Sequence, residues 1–238
     1  MGVKRYYCED YEAMSQKAAD LFLRILERNR KQMVCTATGA SPTGMYRSLA
    51  EEREAEPELF SKTHIVPLDE WLGLPENSES SCHFYLQKHV VSPWGIAPNC
   101  YHAIDVSIPS NEVCKKIDAM LQNHGPLDIC VLGIGKNGHL GLNEPADKLQ
   151  AHCHIAQLSE MSKNHNMLQN MEANPNQGIT LGMADILCSK AIILLLTGKG
   201  KKETVDQFLT GQITTELPAS FLWLHPNVNC FIDKDSII

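Results

Sequence analysis

The tightest constraint on this chain lies between Leu127 and Pro145, where LDICVLG runs into IGKNGHLGLNEP. Ile129 to Leu132 is an unbroken apolar run, the pattern of a strand buried on both faces of a parallel sheet. Gly133, Gly135 and Gly138 then take the chain off the strand through a tight turn that allows close approach. His139, Asn143, Glu144 and Pro145 follow at once. In an open α/β sheet ligands sit at the carboxyl ends of the strands, so this loop sets an imidazole and a carboxylate where chemistry takes place.

Two other readings compete for the loop. Gly133-Ile134-Gly135-Lys136-Asn137-Gly138 has the spacing of a dinucleotide fingerprint, with Glu160 at about the distance of a ribose-binding acid. That fingerprint needs its third glycine to open a long helix, and Gly141, Asn143 and Pro145 all oppose one. A purely structural glycine turn is the plainer alternative, but it leaves His139 and Glu144 without a reason.

The chain around this loop alternates helix and strand patterns. Met14, Ala18, Leu21, Phe22, Ile25 and Leu26 give an amphipathic helix over 11–28. Met33 to Ala37 reads as a strand entering Thr38-Gly39-Ala40-Ser41-Pro42-Thr43-Gly44, with a helix from about Met45. A small-residue loop before a helix is an anion cradle or an ordinary βα turn. His64 to Leu68 reads as a strand ending at Asp69-Glu70-Trp71, whose acids are either a solvated turn or carboxylates at the sheet edge. A helix is expected over 78–91, stopped near Pro93, and another from Ser110 to Gly125-Pro126. Residues 159–178 are polar and weakly periodic, which fits a mobile lid or a plain surface helix and loop. Ile179 to Gly182 and Ala191 to Leu196 read as strands. The second empties into Thr197-Gly198-Lys199-Gly200-Lys201-Lys202, another loop suited to anions. Ser220 to Leu224 and Val228 to Ile232 are expected to complete the sheet. The pattern predicts one α/β domain over 1–238, doubly wound, with a mainly parallel sheet and helices on both faces.

A net charge of −7 gives no electrostatic reason to expect nucleic acid or an anionic membrane as partner. No long apolar span and no signal-peptide pattern is evident, so the chain reads as cytoplasmic. The nine cysteines are scattered and form no CxxC pair. His152-Cys153-His154 cannot converge on one ion, because neighbours on an extended segment point to opposite faces; no metal site is expected.

GKNGHLGLNEP resembles the signature of the glucosamine-6-phosphate deaminase family, in the form of its galactosamine-6-phosphate deaminase/isomerase branch. Thr38 to Pro42 resembles the family's phosphate loop, Asp69-Glu70-Trp71 its D-E-aromatic strand end, and Gly198 to Lys201 its G-x-x-K; GITLGMADIL and PASFLWLH also look like family segments. The resemblance implies conversion of a 2-amino-2-deoxyhexose 6-phosphate to a ketose 6-phosphate plus ammonia, without metal or organic cofactor. It implies His139 for ring opening, supported by Glu144 and Asn137, and Asp69 as the base between C2 and C1. Thr38, Gly39, Ala40, Ser41 and Lys201 would hold the phosphate, and Glu70, Gly135 and Gly138 would contact the sugar. Two departures stand out. Asn137 replaces an aspartate found in many hexameric members, and a gap-free comparison sets Leu168 where those members carry a lid arginine, with Lys163 the nearest cation in sequence. Basic residues for an allosteric activator are not evident, so simple kinetics and a monomer or small homo-oligomer are expected. A 6-phosphogluconolactonase and a non-catalytic sugar-phosphate-sensing domain are the alternatives. The first does not call for Asn-Glu-Pro, and the second normally needs an attached DNA-binding unit.

Overall fold

The computed structural model describes residues 2–28, 32–75, 78–163, 166–168 and 175–237. Its centre is a six-stranded parallel sheet in the order β1-β9-β8-β5-β2-β3. The strands are β1 Val3–Cys8, β2 Gln32–Thr36, β3 Thr63–Pro67, β5 Ile129–Gly133, β8 Ala191–Leu196 and β9 Val228–Asp233. Side chains alternate strictly across the sheet. Ile129 and Val131 join one core, while Cys130 and Leu132 join the other.

Helices fill both faces. Helix α1 (Tyr11–Arg28), α2 (Ala40–Ala55), α3 (Cys82–Leu86) and α4 (Ser92–Trp94) cover the first, where Phe22, Phe60, Tyr46 and Trp94 pack ring against ring. Helix α5 (Ser110–His124), α7 (Met183–Leu187), α8 (Lys202–Leu209) and the 3-10 segment Pro218–Leu224 cover the second. The short helix α6 (Glu160–Lys163) follows β6, and α9 (Lys234–Ile237) follows β9 and lies against β9 and α8. No helix among the described residues is long and apolar enough to cross a membrane.

The structure departs from the sequence reading in several places. β4 (Asp69–Leu72) does not extend the main sheet; it forms a separate antiparallel sheet with β7 (Gln177–Thr180) and β6 (His154–Gln157). β1 and β6 carry mostly exposed or half-buried side chains and lack a clear apolar pattern. The helix expected over 78–91 starts at Cys82, passes through a π turn at Gln87–Val91 and runs past Pro93 to Trp94, where Gly95 in the left-handed region ends it. Pro93 cannot donate to the helix ladder, and the π turn at Gln87–Val91 shifts the bonding pattern just ahead of it. Ser220 to Leu224 is 3-10 helix and not strand. Pro218 starts it, and the Trp223 indole donates to the Phe208 carbonyl at 2.8 Å. Helix α2 begins at Ala40, five residues before the expected Met45.

After β2 the chain moves outward to β3, and after β5 it moves the other way, to β8. The crevice between the carboxyl ends of β2 and β5 is therefore the topological switch point, where ligands bind in such sheets.

Candidate active site

Both loops picked out from the sequence open into that crevice. Gly39, at φ 96°, turns the chain from β2 into α2 and gives that helix start no side-chain cap. The amides of the first turn are thus free for an anion. The turn is braced from outside: Tyr11 donates to the Ala40 carbonyl at 2.7 Å, and the Thr43 and Tyr85 hydroxyls both reach the Gly39 carbonyl at 2.9 Å. Ser41 sits against Gly133 of β5, where a built Cβ would lie 3.3 Å from the Ser41 Oγ. Lys201 caps the start of α8 and is half-buried. Burial pushes its ammonium down, and the neighbouring Lys136 charge adds to this, to about 8.

His139 lies directly on Gly135. A Cβ at Gly135 would fall 2.2 Å from the ring's Cε1, so only glycine leaves space for the imidazole. The His139 Nδ1 is 3.6 Å from Glu144 Oε2, and the Asn137 amide donates to that same oxygen at 2.7 Å. Asn137 Oδ1 also accepts the His139 backbone N–H at 3.3 Å, so one side chain ties both groups together. The other Glu144 oxygen accepts the Ser159 hydroxyl at 3.1 Å and the Ser162 hydroxyl. Burial alone would raise the Glu144 carboxyl, but His139, Ser162 and Asn137 outweigh it and hold the group at about 2. Glu144 is a permanent carboxylate at any physiological pH.

Asp69 and Glu70, adjacent in sequence, play different parts. Glu70 is 3% exposed and accepts the backbone N–H groups of Trp71, Cys82 and His83 at 2.8, 2.9 and 2.6 Å. It clamps β4 to the start of α3. Asp69 has no such shell. Burial pushes its carboxyl up, the Glu70 charge adds to this, and the thiol of Cys82 at 3.8 Å opposes weakly; the result is about 7. Thr38 Oγ1 lies 3.6 Å from the Cys82 Sγ, linking the anion loop to the same carboxyl.

Thr180 joins the two halves. It stands opposite Asp69 in the β4–β7 ladder, and its hydroxyl accepts the Leu142 N–H at 3.2 Å. The loop bearing His139 and Glu144 therefore rests on the strand pair bearing Asp69. Gly138, at φ 86°, turns the loop and packs on Leu217, and its carbonyl accepts the Ala219 N–H at 2.9 Å.

Several site features carried no sequence signal. Ser159 and Ser162 belong to the polar segment read as a lid; residues 164–165 and 169–174 of that segment lie outside the described residues. Leu168 is buried against Trp71, Cys82 and Leu142, and Lys163 is paired with Glu160 at 2.7 Å. Away from the crevice, His152 does not converge with Cys153 and His154. Its Nδ1 pairs with Asp185 at 2.9 Å, with Asp118 nearby; these three are the group of potential metal ligands among the described residues. Asp185 also accepts the Gly182 N–H as a helix cap, so an ion pair and a cap account for it.

The chain is similar to known proteins along nearly its whole length. The family described as glucosamine-6-phosphate isomerases/6-phosphogluconolactonase matches residues 9–230. The provisionally named deaminase AgaI of Escherichia coli (strain K12) is 40% identical over 229 residues, covering 94% of this chain and 90% of that protein. The glucosamine-6-phosphate deaminase of Alkaliphilus metalliredigens (strain QYMF) is 35% identical over 235 residues, covering 97% of each. A solved monomeric glucosamine-6-phosphate deaminase of the NagB superfamily superposes with a TM-score of 0.92 at 32% identity, covering 99% of this chain and 98% of that one. By sequence along nearly its whole length and by fold, the chain is an enzyme of the glucosamine-6-phosphate isomerase/6-phosphogluconolactonase family.

Proposed function

We propose that this enzyme deaminates a 2-amino-2-deoxyhexose 6-phosphate to a ketose 6-phosphate and ammonia, acting as one domain over 1–238. Galactosamine 6-phosphate, giving tagatose 6-phosphate, is the first substrate because the GKNGHLGLNEP loop resembles that branch. Glucosamine 6-phosphate, giving fructose 6-phosphate, is the second. The observation that carries the reading is geometric: a buried carboxyl without a shell of backbone amides, Asp69, lies on the strand pair that supports the His139–Glu144 loop.

His139, backed by the fixed negative charge of Glu144, moves protons between the ring oxygen and the C1 hydroxyl to open the sugar. Asp69 then takes the C2 proton. The electron pair forms the C1=C2 bond of an enolamine while the C1 oxygen gains a proton. Returning the proton to C1 leaves a C2 ketimine. Water adds at C2, the C–N bond breaks, and ammonia departs. A base near pKa 7 is matched to this work at neutral pH, where such groups contribute roughly 10²–10⁴-fold. The free amides of Gly39 to Ser41, the Thr38 and Ser41 hydroxyls and Lys201 anchor the phosphate, so binding energy remote from C2 orients the reacting carbons. The 159–178 segment acts as the lid, held to Glu144 through Ser159 and Ser162. No step calls on a metal or organic cofactor, on nucleic acid or on a membrane, and all the groups invoked come from one chain. A phosphorylated intracellular sugar suits the cytoplasmic setting expected from the sequence.

The test is ammonia release from galactosamine 6-phosphate and glucosamine 6-phosphate side by side. Faster release from the galacto sugar supports the full reading, and faster release from the gluco sugar reverses the order of substrates. Hydrolysis of 6-phosphogluconolactone with no ammonia from either sugar refutes it.

A further inference from the structure

We infer that Lys136 is the second cation of the phosphate site, set beside Lys201 at the Gly198–Gly200 turn. The inference rests on the deaminase reading for the identity of the phosphate, but the geometry stands apart from it. A Cβ built at Gly200 would lie 3.8 Å from the Lys136 Nζ, and one built at Gly198 would lie 3.8 Å from the Lys201 Nζ. The two ammonium groups therefore flank one short turn at the carboxyl end of β8. Lys136 does not reach there by chance of an unanchored loop. The Thr204 hydroxyl, on the first turn of α8, donates to the Lys136 carbonyl at 2.5 Å and pins its backbone to the helix that Lys201 caps.

Neither ammonium has a carboxylate within 4.0 Å among the described residues. Two adjacent cations without a counter-charge repel each other, and a dianionic phosphate turns that repulsion into attraction on both sides. Lys163, the nearest cation in sequence to the place of the lid arginine, is held by Glu160, and Leu168 is an apolar residue buried in a cluster. Lys136 is exposed and can swing onto a ligand already seated on Ser41 and Lys201.

The experiment measures inorganic phosphate binding by calorimetry, and KM and kcat for both amino sugar phosphates, in wild type, Lys136→Met, Lys136→Arg and Lys199→Met. Lys199 is an exposed lysine of the same turn and controls for loss of charge alone. A charge-assisted contact predicts that Lys136→Met weakens phosphate and raises KM by about 10- to 100-fold, more than it lowers kcat. Lys136→Arg recovers most of the loss, and Lys199→Met matches wild type. Wild-type phosphate affinity and KM in Lys136→Met overturn the assignment, as does an equal loss in Lys199→Met. If phosphate binding weakens as predicted while neither amino sugar releases ammonia, the deaminase reading falls and Lys136 remains an anion-binding residue.

Discussion

Replacing Gly135 by alanine probes the seat of His139 without touching any ionisable group. Gly135 does not occupy the left-handed region, so alanine adds no backbone strain; the new methyl is the whole perturbation. It would lie 2.2, 2.3 and 2.4 Å from Cε1, Nε2 and Nδ1 of the imidazole. Ordinary contact begins near 3.4 Å, so the ring must retreat by about 1.2 Å (3.4 − 2.2) or turn away. Misplacement of a catalytic group by about 1 Å costs on the order of 10²-fold. The crowding should also cost about 1–3 kcal/mol of stability, which a thermal melt will show as a lower Tm. The assay is kcat/KM for ammonia release, with inorganic phosphate affinity as the control. We expect kcat/KM to fall about 100-fold while phosphate binding holds. The Gly135→Ala/His139→Asn double variant should be no worse than His139→Asn alone, because the methyl acts only through that ring. Wild-type activity in Gly135→Ala would refute the placement of the imidazole and its role in ring opening.

Further outcomes follow from the carboxylates. Asp69 has its folded pKa raised from 3.8 to about 7, so the folded state binds the extra proton between these values and stability falls as pH rises through that window. The cost above pH 7 is on the order of 4 kcal/mol, and Asp69→Asn should therefore melt higher than wild type at about pH 8 while losing activity. Equal or lower melting would contradict it. Glu70→Gln replaces a carboxylate accepting three backbone amides with a group that turns an NH₂ toward one of them; it should destabilise the fold by about 3 kcal/mol at neutral pH, read by denaturant melts. The pH profile of kcat/KM should be a narrow bell. Its acid limb lies near 7, where Asp69 must be ionised, and its alkaline limb near 8, where Lys201 loses its charge. A flat profile from about pH 6 to 9 would separate both groups from catalysis.

The loops of the candidate site were more legible in the sequence than the frame that holds them. A glycine-rich exit from an apolar strand and a small-residue turn before a helix each have a local cause, and both open at the switch point between β5 and β2. Helix α1 agrees with its periodicity from Tyr11 to Arg28. What escaped depends on distant partners. β1 buries only Val3 and Cys8 and forms one ladder, with β9, so its apolar pattern is faint. Asp69-Glu70 leaves the main sheet because β4 pairs with residues more than a hundred positions away. That pairing buries both acids and gives them different roles, which adjacent letters could not reveal. Ser220 to Leu224 is apolar enough for a strand or a helix, and Pro218 with the Trp223 contact decides it. Ser159 and Ser162 look like any polar surface until Glu144 is set beside them.

The central claim is that Asp69 removes the C2 proton of an amino sugar phosphate. It is tested most directly with galactosamine 6-phosphate carrying deuterium at C2, followed by mass spectrometry and ammonia assay for wild type and Asp69→Asn. The account predicts that wild type releases ammonia and gives a ketose 6-phosphate whose deuterium has moved to C1 or into water. Asp69→Asn should leave the label on C2 and the nitrogen on the sugar. Loss of the C2 label at the wild-type rate in Asp69→Asn would contradict it.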